Sequence, residues 1–257
     1  MIHETAWVDP DADLAPDVEV GPFSVIGPNV SIGAGAWIGP HVVIQGNTRI
    51  APGVQIFQFA SVGAPPQDKK YGGGETFLEV GANTIIRESA TLHLGTEEGG
   101  GVTRVGADVL VMAYVHVAHD CQVGDHVVLS NAVTLAGHVT VGEHAIIGGM
   151  TAVHQFCHIG PYAFVGGASA VSMDVPPFAS VAGNRARLYG PNTVGLDRAG
   201  FSKETVEGLK RAFKALFHKR RPREQALAEL EATADAEIAE VRQVMDFLRQ
   251  SERGVVR

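Results

Sequence analysis

Cysteine is almost missing from this chain: Cys121 and Cys157 are the only two in 257 residues, which excludes a disulfide framework and the small secreted folds that depend on one. Positive charge is short as well. Only 20 Lys and Arg stand against 28 Asp and Glu, for a formal net charge of −8. That balance lacks the clustered cations with which a general nucleic-acid binder neutralises phosphates. No apolar run approaches the length of a bilayer span, and the opening stretch, MIHETAWVDPDADLAPDVEV, carries acidic side chains and no apolar segment of the secretory kind. The expectation is a cytoplasmic protein with no membrane span and no nucleic-acid partner. Its length suits one large domain, or a main domain with a small one attached.

What fills the chain is a beat of six. Ile2, Val8, Leu14, Val20, Ile26, Ile32, Ile38, Ile44, Ile50, Ile56 and Val62 are all aliphatic, and Gly follows at 21, 27, 33, 39 and 63. No helix and no ordinary strand has this period. A hexapeptide repeat of this kind marks a parallel β-helix: short strands point an aliphatic residue inward, and Gly, Asn or Asp turns each corner. Three hexads close one triangular coil of 18 residues. In the stretch Val111 to Val139 the small inward position is filled by Val115, Cys121, Val127, Val133 and Val139, and Cys157 falls on it too. Two coils separate the cysteines, roughly 9–10 Å by strand spacing, so they are expected to be buried packing residues that cannot bridge.

The beat is interrupted twice. A segment with Pro-Pro and a Gly triplet at about residues 64–78, APPQDKKYGGGETFL, and a Gly-rich one at about 94–104 break the phase before Val80 and before Val105. Both are expected to project as loops from the coil, where function tends to collect. From Val105 the rhythm runs without a break to Val171 and stops at Pro176-Pro177. The chain is therefore mainly β, with a parallel β-helix over 1–190. Residues 191–257 follow as a small α-helical domain. There Ser202 is a candidate N-cap ahead of Val206, Leu209, Phe213, Leu216 and Phe217 at helical spacing, KRRPRE breaks the pattern, and Ile238, Val241, Met245 and Leu248 resume it. The early part of this tail is basic: Arg198, Lys203, Lys210, Arg211, Lys214, Lys219, Arg220, Arg221 and Arg223. It reads either as a solvated helix face or as a surface for an acidic partner.

An 18-residue coil turns the sequence into a grid. His119, Gly137 and Gln155 share one column, with His138 one step after Gly137 and His154 one step before Gln155. Three histidines should thus climb one edge, about 5 Å per coil, with His116 just before and Asp120 just after His119. Two chemistries fit such a cluster. It could hold zinc with an open position for water, or one histidine could act as general base on a hydroxyl while its neighbours orient the substrate. Gly137 favours the second, because its open N–H could meet a developing oxyanion and offers a metal nothing.

The segments QDKKYGGG, IRESATLH, HVAHDCQVG, LAGHVTVG, IIGGMTAVHQF, VGGASAV, DVPPFASVAGN and GLDRAGFS resemble those of the UDP-N-acetylglucosamine O-acyltransferases of lipid A biosynthesis. The resemblance covers essentially the whole chain, both insertions and tail included. It implies a left-handed coil and a homotrimer with active sites between neighbouring solenoids. The implied reaction moves an (R)-3-hydroxyacyl group from acyl carrier protein to the 3-hydroxyl of UDP-N-acetylglucosamine, with no cofactor and no metal. It implies His119 as general base, Asp120 as its orienting carboxylate and Gly137 as oxyanion donor. His116, His138, His154 and Gln155 would line the sugar and acyl site. Gln67, Asp68 and Lys70 would reach substrate across the subunit boundary, and Asn192 and Arg198 would contact the nucleotide. Gly167, in VGGASA, matches the position that sets acyl length, where Gly implies a long chain; the alternative is a corner Gly needed by the backbone. The departures fall around the nucleotide: Val194 stands where a Glu is familiar, Ala199 where a second Arg is, and Arg185 where a His is. The basic tail would then meet the acidic carrier protein. Three rivals remain: a CoA-dependent sugar acetyltransferase on the same scaffold, a zinc hydratase, and a purely structural solenoid, which would need no histidine edge.

Overall fold

A computed structural model describes residues 1–217 and 222–257. Lys219, Arg220 and Arg221 of the basic tail lie outside the described residues. The repeat folds as a left-handed parallel β-helix of three faces. Among the described residues face 1 has nine strands, from Trp7–Val8 to Ala170–Val171, and face 2 has eight, from Asp13–Leu14 to His158–Ile159. Face 3 has nine parallel strands among the described residues, from Glu19–Val20 to Ala179–Ala182, and closes on a tenth, Arg187–Pro191, which pairs antiparallel. Most strands are two residues long, one side chain out and one in. The inward aliphatics, such as Ile26, Ile44, Ile86, Leu129 and Ile147, are fully buried and stack coil upon coil into one core.

The corners explain which residues the repeat tolerates. After each inward aliphatic, the first corner residue donates its N–H to the next coil, as Gly21 to the Ile38 carbonyl at 2.8 Å and Gly39 to that of Ile56 at 2.7 Å. The second corner position is one where the ladder asks for no donor, so Pro22, Pro28, Pro40, Pro52 and Pro161 sit there at no loss of hydrogen bonding. The third takes a left-handed φ even without glycine: +59° at Asn29, +60° at Asp120, +61° at His138. Such a backbone costs energy in a residue with a Cβ. Ring stacking between coils offsets part of it, with centroids 4.6 Å apart for both His126–His144 and His144–Tyr162. The fourth position points inward and is small. Cys121 and Cys157 occupy it, fully buried and unbridged, and burial pushes their thiols up to about 12 and about 11. Neither is a nucleophile at neutral pH.

Both insertions replace a corner between face 1 and face 2. The first leaves Ser61–Ala64 and returns at Phe77–Val80; the second leaves Thr91–His93 and returns at Val102–Val105. They are shorter than their composition suggests, because Phe77, Leu78 and residues 102 to 104 pair as strand. The loops hold each other: the Gly74 N–H donates to Glu97 at 2.6 Å. Beyond Pro191 come helices α1 (Thr193–Arg198), α2 (Lys203–Phe217), α3 (Arg223–Glu231) and α4 (Ala239–Gln250). Ser202 caps α2 through a 3.0 Å bond from the Thr205 N–H. Leu209, Phe213 and Leu216 are buried in the same apolar cluster as Leu227, Val244 and Leu248. The chain then returns to the solenoid, where Val255 bridges Asp174.

Candidate active site

The edge between faces 1 and 2 gathers the chemistry. Corner residues 118–121, 136–139 and 154–157 lie on it, as do both insertions. His119 occupies the second corner position of its coil, where the scaffold makes no demand on its N–H, and Asp120 the third. Asp120 is buried, its side chain 1% exposed against 15% for His119. Its carboxylate accepts from the Thr96 N–H at 2.9 Å, from the Thr96 hydroxyl at 2.6 Å and from His119 Nδ1 at 2.8 Å. A carboxylate only accepts, so His119 carries its proton on Nδ1 and presents a lone pair on Nε2. Gly137, one coil on, lies flat against that ring: a Cβ there would meet Cε1 at 2.5 Å and Nε2 at 2.6 Å. Among the described residues the Gly137 N–H makes no hydrogen bond, while those of Ala136 and His138 on either side do.

Further histidines surround this pair. His138 packs edge-on to His119, centroids 5.1 Å apart, with Nε2 3.7 Å from the Asp120 carboxylate. Burial, then the neighbouring His119, lower its pKa, opposed by Asp120 and by Asp68 from the first insertion. The Asp68 carboxylate therefore bears on the cluster within its own chain. His116 stands on face 1, its Nδ1 2.7 Å from the Thr91 hydroxyl, and is lowered by burial and by His119. Behind it His93, 4% exposed, meets it edge-on at 4.9 Å. Burial, with smaller contributions from His116 and His119, drives the His93 pKa down to about 4. This half of the cluster stays neutral near pH 7 and tunes the site without adding charge.

His119, Asp120 and His138 offer ligand atoms within 4.8 Å of one another, the spacing of a metal centre. The donor set does not suit one. Oδ2 of Asp120 already accepts from both Thr96 and His119 Nδ1, so a metal there would have to displace two hydrogen bonds from a buried carboxylate.

The comparisons agree with the motifs. Residues 174–256 match the family model described as UDP N-acetylglucosamine O-acyltransferase, domain 2, and residues 103–137 match the bacterial transferase hexapeptide model. A curated acyl-(acyl-carrier-protein)–UDP-N-acetylglucosamine O-acyltransferase from Polynucleobacter asymbioticus is 57% identical, covering 100% of this chain and 99% of its own. The chain belongs to the UDP-N-acetylglucosamine O-acyltransferase family. The family member from Herminiimonas arsenicoxydans is 50% identical with the same coverage. The solved O-acyltransferase from Moraxella catarrhalis superposes with a TM-score of 0.96 at 43% identity, covering 100% of this chain and 99% of that one.

Within this family member the expected site residues divide among three edges. His119, Asp120, Gly137, His138, His154 and Gln155 share the face 1–face 2 edge with Gln67, Asp68 and Lys70 of the first insertion, and His116 stands beside it. The ring stacked on His138 is Phe156, at 4.4 Å, and not His154, which turns instead toward Arg253. Asn192 and Arg198 stand at the face 3 side of the next edge, on a groove of about 560 Å³ lined also by His126, His144, Tyr162 and Val194. The Asn192 amide is engaged there: it accepts from the Gly195 N–H to cap α1 and donates to the Tyr162 carbonyl. Arg198 makes no ion pair among the described residues. Arg185 is exposed between the last two strands. Gly167 is on the third edge, between faces 3 and 1, directly over Gly149; its φ is not left-handed, and a Cβ would touch only the Gly149 backbone, at 3.2 Å. Thr96 and His93 were not expected, because both sit at the second insertion, where the 18-residue count fails and the grid assigns no neighbours.

Proposed function

We propose that the chain transfers an (R)-3-hydroxyacyl group from acyl carrier protein to the 3-hydroxyl of UDP-N-acetylglucosamine, the first step of lipid A biosynthesis, in the cytoplasm. One observation carries this reading: a histidine whose Nδ1–H is fixed by a buried carboxylate, with its Nε2 lone pair beside an unused backbone N–H. His119 Nε2 takes the proton of the sugar hydroxyl as its oxygen attacks the thioester carbonyl. The Gly137 N–H meets the resulting oxyanion. Collapse expels the carrier's thiolate, which recovers the proton from His119. Asp120 holds the ring and stabilises the imidazolium between the two steps. His138, His116, His154, Gln155 and the loop residues Gln67, Asp68 and Lys70 orient sugar and acyl chain.

The division of residues among three edges supports a homotrimer. One triangular solenoid cannot bring Gly167, Arg198 and His119 to a single substrate, whereas the edge of one copy laid against a neighbour's can, and it excludes water as it does so. Gly167 does not need glycine for its φ, and a Cβ there would press only lightly on the Gly149 carbonyl at 3.2 Å, so its nearly open surface supports the role of a ruler that admits a long chain. The carrier-protein surface is narrower than the sequence suggests: Asp235 holds Arg211 and Glu207 holds Lys210, leaving Lys203, Lys214, Arg198 and Arg223 as the described cations with no ion pair among the described residues. Val194 and Ala199 flank Arg198 with apolar surface, so Arg198 carries the phosphate contacts largely alone.

An acyl-transfer assay with UDP-N-acetylglucosamine and 3-hydroxyacyl carrier proteins of graded length tests this. Transfer from one long donor, lost in His119→Ala, is the expected result. Activity with acetyl-CoA and none with any carrier-protein donor would replace this reading with the acetyltransferase. Stoichiometric zinc in the purified protein would favour the hydratase.

A further inference from the structure

The segment after α4 returns to the solenoid and is stitched to it through Asp174. The Asp174 N–H donates to the Gly254 carbonyl and the Val256 N–H donates back to Asp174, both at 2.9 Å. The Ser251 hydroxyl donates to the buried Asp174 carboxylate at 2.7 Å, and the same carboxylate accepts the His158 N–H at 2.8 Å. Residues 251 to 256 are thereby fixed from two sides, and Arg253 between them is carried across to the histidine edge. Its Nε donates to the Ser172 carbonyl at 3.3 Å and its terminal nitrogen reaches His154 Nδ1 at 2.8 Å.

His154 Nδ1 has a second neighbour, the Gln155 carbonyl oxygen, at 3.0 Å. The two neighbours ask opposite things of it. A guanidinium only donates, so beside Arg253 the nitrogen must keep its lone pair; a carbonyl only accepts, so beside Gln155 alone it must carry the proton. The bond to the cation is the stronger of the two. We propose that Arg253 is a positioning residue that fixes His154 as its Nε2–H tautomer, so that the ring's outer nitrogen faces the substrate as a hydrogen-bond donor. The effect on catalysis rests on the preceding reading, in which His154 lines the sugar and acyl site. Removing Arg253 leaves the Gln155 carbonyl as the sole partner, moves the proton to Nδ1 and converts the outer nitrogen to an acceptor.

The test uses full-length protein labelled with ¹⁵N-histidine, with the His154 signals assigned by their loss in His154→Gln. Wild type is expected to show a protonated Nε2 and a bare Nδ1 at His154, and Arg253→Ala the reverse. In the transfer assay Arg253→Ala is expected to raise KM for the sugar nucleotide roughly tenfold, the size of one charge-assisted hydrogen bond, with kcat changed far less. Arg253→Lys, which keeps a donor on a shorter reach, restores part of both. A wild-type tautomer retained in Arg253→Ala overturns the proposal, and so does a switched tautomer with KM unchanged. If wild type transfers no acyl group from any donor, the proposed function fails on its own, and the ¹⁵N spectra alone decide the Arg253–His154 pair: a switch upholds it, and no switch overturns it.

Discussion

Replacing Gly137 by Ala adds one methyl group at the most crowded point of the site. The new Cβ would stand 2.5 Å from Cε1 and 2.6 Å from Nε2 of His119, about 1 Å inside the 3.4 Å at which ordinary contact begins. All three of its nearest atoms belong to the His119 ring, so the ring and not the backbone has to retreat. A retreat of that size cannot preserve the 2.8 Å bond from Nδ1 to Asp120. Displacing a general base by about 1 Å costs on the order of 10²-fold in turnover, equivalent to about 2.7 kcal/mol. The backbone should barely respond, because residue 137 needs no left-handed φ and its backbone hydrogen bonds are unchanged; the stability cost is that of the lost bond to Asp120, about 1.5–3 kcal/mol. The assay is kcat and KM for acyl transfer in wild type, Gly137→Ala, His119→Ala and the double variant, with thermal melts alongside. Without the imidazole the methyl has nothing to strike, so the second substitution should cost little once His119 is gone. Near-wild-type turnover in Gly137→Ala, or losses that simply add in the double variant, would refute the reasoning.

Three more outcomes are expected. Gly167→Met should shorten the preferred acyl chain without lowering turnover on its new best donor, as read from the graded-donor series; an unchanged preference removes the ruler. His119→Ala and Arg198→Ala, each weak alone, should regain activity when co-expressed, since mixed trimers contain one intact edge pair; no recovery argues that each site lies within one chain. The third concerns acid. Below pH 6.5 the unfolded chain takes up a proton on His93 that the folded chain refuses until about pH 4. This residue therefore destabilises the fold progressively as pH falls through that window, by on the order of 3 kcal/mol in full. Melting temperature followed from pH 7 to 4 should fall less steeply in His93→Gln than in wild type, and parallel curves would exclude the effect.

The coil was legible because its signal repeats. Each inward aliphatic from Ile2 to Val171 reports the same fact, and a column spacing of 18 is enough to set Gly137 against His119. The grid was less able to say which side chain turns which way. It put His154 on the right edge, yet the ring over His138 is Phe156, because stacking follows the left-handed third corner position and His154 occupies the first. Thr96, which fixes Asp120, comes from an insertion with no period, and a residue without a period has no address. Arg253 was out of reach for another reason: 99 positions separate it from His154, and only the folding of the helices between them brings the two together. The basic tail shows the limit of composition, since a count of cations ignores Glu207 and Asp235, which hold two of them.

The second corner position ties scaffold to chemistry. The coil asks nothing of the N–H at that place, and so the same slot holds Pro22, Pro40 and Pro161 where stiffness is wanted and His119, Gly137 and Gln155 where a reaction is. A substitution there changes what the surface offers while the ladder beneath it keeps every bond. The protein thus has a row of exchangeable sockets, and new reactivity could be installed along the same edge one coil at a time without loosening the rod that carries it.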